Sequence, residues 1–206
     1  VMNRLAGKSL SFPTKDYNFR TVESVSRFDE NRRIETVAAI RKKEFSSVVI
    51  PAEALCTLVM PPEDYREMTI RPADTVEFDK IADILVSFGY ERFSNVTGQG
   101  QFSIRGGLID IFPPGADDPV RIELWGDTVD SIAKFDISTQ RRNDMVDSID
   151  IIPAGEVLFL SKEEQAKKID ALASSLKGKA IKAREKLYAD SDRLKQGLSL
   201  RCNDKY

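Results

Sequence analysis

The chain has 206 residues, of which 41% are hydrophobic and 31% charged, and it carries a formal net charge of −2 without any histidine. This composition is typical of a globular protein with one large core or two small ones. The absence of histidine excludes Ser-His-Asp, Cys-His and histidine-ligated metal chemistry within the chain. Cys56 and Cys202 have no CxxC spacing, so we expect no zinc site and a reducing, cytoplasmic location.

The charge is unevenly distributed. Residues 101–160 contain 5 basic and 11 acidic groups, a net charge of −6, whereas residues 161–206 contain 12 basic and 7 acidic groups, a net charge of +5. Because phosphate binding needs clustered Lys and Arg, the acidic middle is poorly suited to duplex DNA. The basic end indicates lysine-rich solvated helices, and phosphate contact is the alternative.

The first 65 residues predict part of an α/β layer, with a buried strand within Phe45–Pro51 and a helix before it. The run Ala-Gly-Lys-Ser at 6–9 suggests a phosphate loop. That motif needs a glycine five residues before Gly7, where Met2 stands. We therefore expect a turn before a strand at Ser9–Phe12, and no ATP binding here.

A linker is predicted from Pro61 through Pro72, and a helix follows it. Asp74 is placed to cap this helix, with Glu77 completing a capping-box pair, and Gly89 is placed to end it. The helix has an apolar stripe at spacing i, i+3, i+4, i+7, formed by Ile81, Ile84, Leu85 and Phe88.

Five strands are predicted next, separated by glycine- and proline-rich turns or polar breaks. They are Gln101–Arg105, Leu108–Phe112, Val120–Trp125, Val129–Asp136 and Val146–Ile152, with the segment Ser138–Asp144 as a polar break. Short turns join antiparallel neighbours rather than parallel strands. We predict one helix on a small curved antiparallel sheet.

In the strand Val120–Trp125 a period of two sends Val120, Ile122 and Leu124 to a core face. Arg121, Glu123 and Trp125 fall on the other face, and Arg and Trp are the residue types that dominate protein–protein hot spots. A cross-strand ion pair is the alternative role of Arg121, and partial core the alternative for Trp125. Asp110 is expected to be a solvent-facing carboxylate.

From Ser161 onward the chain predicts amphipathic helices, the first opened by a capping box and carrying Ile169, Leu172 and Leu176 on one face. A second helix carries Ile181 and Leu187. The chain reads as an excised fragment because it ends without a terminating pattern.

Three stretches in order carry a family resemblance: GQFSIRGGLIDIFPPG at 100–115, PVRIELWGDTVDSI at 119–132 and FDISTQR at 135–141. With IIPAGE at 151–156, the chain resembles the N-terminal UvrB-homology region of bacterial transcription-repair coupling factors (Mfd). The match is strong over about residues 90–156 and weaker, though collinear, elsewhere.

The resemblance implies an α+β fold in three parts. Residues 1–65 would be part of a degenerate helicase-like α/β domain (1a), residues 66–156 a UvrA-interaction domain like domain 2 of UvrB, and residues 157–206 the helical start of domain 1b. It implies no enzyme activity and no cofactor in this segment, since ATP and magnesium serve the motor of the full-length protein. RNA polymerase and DNA would be bound through other regions.

The resemblance also implies which residues dock UvrA. They are Arg105, Arg121 and Trp125, the last standing where a phenylalanine is more usual; Arg141 and Arg142, expected in an exposed loop, are secondary candidates for UvrA or DNA contact. Arg105 joins the other two only if its strand neighbours theirs in register.

Three functions remain open at this point. The first is a non-catalytic module that recruits UvrA, and with it nucleotide excision repair, to stalled RNA polymerase. The second is a UvrB-like nucleic-acid-binding segment that uses Arg105, Arg141, Arg142 and the basic end. The third is a brace that holds the rest of the protein in an autoinhibited state, which is compatible with docking. The −6 balance of residues 101–160 favours docking.

Overall fold

The computed structural model describes residues 8–14, 27–57, 59–62, 64–156, 158, 162–176 and 180–196. The chain divides into two compact units, Val1–Glu156 and Val157–Tyr206. Helices and sheets are mixed along the chain, which confirms the α+β class. None of the described helices is both long enough and apolar enough to cross a membrane.

The first unit begins with strand β1 (Ser9–Ser11), helix α1 (Phe28–Arg41), strand β2 (Ser47–Val49) and a 3-10 helix (Ala52–Cys56). β1 and β2 pair in parallel. The predicted helix is confirmed, and a strand is present within Phe45–Pro51. The strand is not buried as predicted, because Ser47 and Val48 are half-buried and Val49 is exposed. Of the candidate phosphate-loop residues, Ala6 and Gly7 lie outside the described part of the chain, and Ser9 lies in β1, as the alternative predicted.

Arg33 of α1 is buried and contacts several segments of this N-terminal part. Its guanidinium pairs with the Glu156 carboxylate, donates to the Pro13 carbonyl and the Thr57 hydroxyl at 2.9 Å each, and lies 4.0 Å from the centre of the Phe12 ring. A buried guanidinium needs such a full set of acceptors, since an unpaired buried charge is strongly destabilising. Arg33 thus ties the N-terminal layer to the end of the first unit.

A six-stranded sheet forms the centre of the first unit, with the strand order β4-β5-β6-β7-β8-β9. The strands are β4 (Glu91–Arg92), β5 (Gln101–Arg105), β6 (Leu108–Phe112), β7 (Val120–Trp125), β8 (Thr128–Phe135) and β9 (Arg142–Met145). From β5 to β9 each strand is antiparallel to its neighbour, while the short β4 is parallel to β5. The predicted sequential antiparallel order is confirmed for the four predicted strands that correspond to β5, β6, β7 and β8.

Besides the short β4, two segments form strands where none was predicted, and one predicted strand, now β10, lies in a different sheet. Strand β3 (Met68–Ile70) lies inside the predicted linker, and it pairs antiparallel with β10 (Ile149–Ile151) in a separate two-stranded sheet. β10 therefore does not extend the larger sheet. β9 occupies the predicted polar break, because its four exposed residues have no apolar alternation and acquire strand geometry only through pairing with β8.

Helix α2 (Phe78–Ser87) lies against the sheet and begins later than predicted. Its N-cap residue is Glu77, without a side-chain cap. The Asp74 carboxylate instead accepts a hydrogen bond from the Arg71 amide at 2.7 Å. Gly89 follows the helix with a positive φ of 87°, as a C-terminal glycine requires. In the predicted stripe Ile84 is exposed, and the other three residues are buried.

The core of the first unit lies between α2 and one face of the six-stranded sheet. It contains α2 residues, alternate residues of β5 to β8, and the β3–β10 pair. Its fully buried members include Leu85, Phe102, Ile109, Ile111, Ile122, Ile132 and Ile151. A smaller cluster of Val96, Phe112 and Phe135 covers part of the opposite face.

The second unit contains helices α3 (Lys162–Ser175) and α4 (Ile181–Lys195), which pack against each other. Their contact is built on buried Ala166, Ile169 and Leu194, with Leu187 at its edge. Leu172 and Ile181, predicted on apolar faces, are exposed. The proposed capping residue Ser161 lies outside the described residues.

Candidate protein-docking face

Two tight hairpins set the register of the sheet. The turn Gly106–Gly107 joins β5 to β6, and Gly126–Asp127 joins β7 to β8. Gly106 and Gly126 have positive φ values of 57° and 62°, which glycine adopts without steric cost. A Cβ on Gly107 would lie 2.9 Å from the Leu124 carbonyl oxygen, so the neighbouring strands could not approach as they do.

This register places Ser103, Asp110, Arg121 and Ala133 in one row across four strands. The row lies on the sheet face opposite α2, which we call the outer face. Val120 and Ile122 of β7 point to the core, and Leu124 packs at its edge, as predicted. Arg105, Glu123 and Trp125 share the outer face because they alternate with core residues.

Asp110 is the centre of the outer face, with only 1% of its side chain exposed. Arg121 binds it with two hydrogen bonds, from Nε to Oδ1 at 2.6 Å and from Nη2 to Oδ2 at 2.9 Å. Such a bidentate fork is the strongest geometry available to this pair of groups. Arg121 Nη1 also donates to the Gln140 carbonyl at 3.2 Å, and the guanidinium lies 4.7 Å from the centre of the Phe135 ring.

Arg105 joins the same carboxylate from the neighbouring strand. Its Nη2 donates to Asp110 Oδ2 at 2.7 Å, and its Nη1 donates to Asn95 Oδ1 at 2.8 Å. The side chain remains 44% exposed. The register condition stated from the sequence is therefore met, because β6 brings Arg105 and Arg121 to a shared partner.

The expectation of a solvent-facing Asp110 was wrong. Two arginines bind the carboxylate, and Asn95 and the Gln140 carbonyl in turn bind these arginines. A buried carboxylate needs this compensation, since a charge without partners is costly away from water. Arg121 is itself only 11% exposed and makes the cross-strand ion pair considered as its alternative role.

A second ion pair extends the outer face toward β9. Arg142 Nη1 donates to Glu123 Oε1 at 2.6 Å, and Arg142 Nη2 lies 3.3 Å from the sulfur of exposed Met145. Arg142 is thus a strand residue rather than the loop residue expected, because β9 pairs with β8. Arg141 precedes β9 and is exposed, with its carbonyl accepting the Asp136 amide at 3.0 Å.

Trp125 is the most exposed large apolar residue of the outer face. It is the last residue of β7, just before the Gly126–Asp127 turn, and 86% of it is exposed. The alternative of partial core is not what the structure shows. An indole in this position offers a broad apolar surface and one N–H donor.

Each arginine of the outer face has a carboxylate partner within the chain, with Arg105 and Arg121 sharing one. Three arginines, Arg105, Arg121 and Arg142, face the carboxylates of Asp110 and Glu123. The hydrogen bond to Asp110 raises the pKa of Arg121 above its usual value. In the loop that supplies the Gln140 carbonyl, hydrogen bonds from Ser138 and Thr139 lower the pKa of Asp136 to about 2.

The sequence reasoning missed Asp110, Asn95 and Gln140 as partners of the arginines. One signal was available: a two-residue glycine turn at 106–107 fixes Ser103 opposite Asp110, on the same face as Arg105. Asn95 and the Gln140 carbonyl reach the face from loops, whose paths no periodicity encodes.

Within the ranges that the structure describes, no three His, Cys, Asp or Glu side chains are grouped so as to hold a metal ion. The outer face combines hydrogen-bonded guanidinium groups with an exposed indole on one sheet. Arginine and tryptophan are enriched at the centres of protein interfaces. These residue types make the outer face a candidate protein-docking surface.

Residues 68–156 match the family model described as the UvrB interaction domain. The matched residues contain the whole six-stranded sheet and every residue of the outer face.

The chain is also similar to transcription-repair-coupling factors, which confirms the family resemblance seen in the sequence. It is 41% identical over 177 residues to the factor of Bacillus subtilis (strain 168), covering 81% of this chain. It is 34% identical over 150 residues to the factor of Staphylococcus aureus (strain USA300), and this alignment covers 72% of the chain. It is 38% identical over 160 residues to the factor of Myxococcus xanthus, and this alignment covers 75% of the chain. The aligned segment spans 13–15% of the length of these relatives.

Proposed function

We propose that this chain is a non-catalytic module that docks UvrA, and that it serves to recruit nucleotide excision repair to stalled RNA polymerase in a longer coupling factor. The observation that carries the proposal is the joint placement of Arg105, Arg121 and Trp125 on one face of a UvrB interaction domain. Similarity to transcription-repair-coupling factors supports the same role.

Arg105, Arg121 and Trp125 differ in how accessible they are to a partner. Arg105 and Trp125 are exposed enough to contact UvrA, whereas Arg121 is held by Asp110 and is nearly covered. Arg142, 38% exposed and paired with Glu123, extends the contact surface toward β9. We assign the central apolar anchor to Trp125, because buried aromatic anchors supply most of the energy of such interfaces.

The remaining parts of the proposal concern the rest of the chain. Residues 1–65 correspond to part of a degenerate helicase-like domain, and the parallel pair β1–β2 flanking α1 is compatible with this. We propose that this segment has no enzymatic activity and needs no cofactor. ATP, magnesium and contacts with RNA polymerase are assigned to other regions of a longer protein.

Nucleic-acid binding by the outer face is disfavoured by its internal pairing. The guanidinium groups of Arg105 and Arg121 already share the Asp110 carboxylate, and Arg142 pairs with Glu123. Phosphate would have to compete with these carboxylates for the same N–H groups. Binding of nucleic acid is thus the less favoured function, and the experiment below distinguishes it from docking.

The test is titration of the chain against purified UvrA, with duplex DNA as competitor and salt varied. Saturable binding that weakens at least tenfold in Arg105→Ala, is unaffected by DNA and depends modestly on salt supports docking. Binding to DNA alone, with a steep loss of affinity as salt rises, would replace docking with the nucleic-acid alternative. Leu55→Ala, an exposed apolar residue of the 3-10 helix, is the control variant.

A further inference from the structure

We propose that Asn95 and Asp110 are positioning residues for docking, which act by fixing the guanidinium of Arg105 before any partner arrives. The inference rests on the proposed function, since it concerns the same face. It assigns roles to two residues that touch Arg105 rather than the partner.

The geometry around Arg105 gives the first part of the argument. Its two terminal nitrogens have separate acceptors, Asp110 Oδ2 at 2.7 Å and Asn95 Oδ1 at 2.8 Å. These acceptors come from strand β6 and from the loop before β5, so they hold the guanidinium from two elements. The side chain nevertheless stays 44% exposed. A long exposed arginine would otherwise sample many rotamers and lose that freedom on binding.

The burial of Asp110 gives the second part. A carboxylate that is 1% exposed cannot offer its oxygens to a partner surface. Both oxygens are already used, Oδ1 by Arg121 and Oδ2 by Arg121 and Arg105. Asp110 therefore influences docking through the arginines that it holds, of which Arg105 is the more exposed. Arg121 has the supporting role of neutralising and orienting Asp110, with the Gln140 carbonyl behind it.

Asn95 offers the cleaner variant, because it is exposed and its removal leaves no buried charge. Asn95→Ala deletes one anchor of Arg105, while Asn95→Asp keeps an oxygen acceptor in the same place. Asp110→Asn is a second variant. Because this change also lowers stability, its UvrA affinity is calculated per folded molecule. Arg105→Ala sets the size of the full effect.

Two measurements are made on each variant: affinity for UvrA, and mobility of the Arg105 Nε–H group by ¹⁵N NMR relaxation. We expect Asn95→Ala to weaken UvrA binding about fivefold without a change in thermal unfolding midpoint, and Asn95→Asp to restore it. The Nε–H order parameter of Arg105 should fall in Asn95→Ala and Asp110→Asn and recover in Asn95→Asp.

Failure of this inference and failure of the proposed function give different results. If the unaltered chain binds UvrA and Arg105→Ala weakens binding, unchanged affinity in Asn95→Ala overturns the positioning role. If the unaltered chain does not bind UvrA, the proposed function is wrong. In that case the NMR relaxation data alone test whether Asn95 positions Arg105. Equal Arg105 mobility with and without the Asn95 side chain overturns the inference.

Discussion

The two faces of the six-stranded sheet share one backbone register but differ in what their side chains do. On the inner face Ile109 lies opposite Ile122, and both are fully buried against α2. In the adjacent outer-face row Asp110 lies opposite Arg121, and their charges are compensated within the protein. The inner face supplies stability through apolar burial. The outer face holds polar groups in fixed positions through hydrogen bonds and ion pairs, as the proposed docking function requires.

The largest expected effect comes from the inner face. Ile122→Ala removes buried methyl groups and leaves a cavity, so it should lower the free energy of unfolding by about 3 kcal/mol. Urea unfolding measures this loss, and UvrA affinity per folded molecule should remain unchanged. Ile84→Ala on the exposed side of α2 is the matched control, expected to change stability by less than about 0.5 kcal/mol. Comparable losses in both variants would contradict the assigned core.

Asp110→Asn tests whether the outer face also contributes to stability. The amide keeps the shape of the carboxylate but removes the counter-charge of Arg121, so we expect a loss of about 2 kcal/mol in the free energy of unfolding. Asp118→Asn is the control, since Asp118 pairs with Lys134 in an exposed position and should change stability by less than about 1 kcal/mol. Equal stability of Asp110→Asn and the unaltered chain would show that the buried pair is not structural.

Much of this comparison could be predicted from the sequence, and the remainder has physical reasons. Alternation along Val120–Trp125 and the short turns were enough to predict the inner face of β7 and the antiparallel order from β5 to β8. The burial of Asp110 could not be predicted, because it depends on two arginines that bind the carboxylate and that are themselves held by Asn95 and the Gln140 carbonyl from loops. A period of two assigns a side chain to a face, but it does not show what covers that face.

Other differences have the same origin in tertiary pairing. The β3–β10 pair joins segments about 80 residues apart in sequence, so no local pattern marks it. The sequence around Asp74 predicted a helix cap. In the structure the Asp74 carboxylate accepts a hydrogen bond from the Arg71 amide, in a turn four residues before α2. Short polar residues compete for local backbone amides in this way.

Trp125→Ala should separate docking from stability. Since the indole is largely exposed, the free energy of unfolding should change by less than about 0.5 kcal/mol. UvrA affinity should fall about 30-fold, equivalent to about 2 kcal/mol, if the indole is a central anchor. Calorimetric titration measures the affinity, with Leu55→Ala as control. A folded variant with unchanged affinity would remove Trp125 from the interface.

The smallest expected effect concerns the Asp136 loop. Its folded-state pKa of about 2 lies below the ordinary value of 3.8, so its stabilising contribution is present above about pH 4 and lost as pH falls toward 2. Carboxyl ¹³C NMR titration measures the pKa directly. Ser138→Ala should raise it toward the ordinary value by removing the strongest hydrogen bond to the carboxylate. A pKa near 3.8 in the unaltered chain would contradict the hydrogen-bonded loop.

The central claim, that the outer face docks UvrA, is tested most directly at Trp125, the chain's single tryptophan. Replacing it with 5-fluorotryptophan gives one ¹⁹F resonance, which can be followed during titration with unlabelled UvrA. The claim predicts that this resonance shifts or broadens saturably, with the same midpoint as binding measured by calorimetry. Calorimetric binding to UvrA with an unchanged ¹⁹F signal would place the contact elsewhere on the chain.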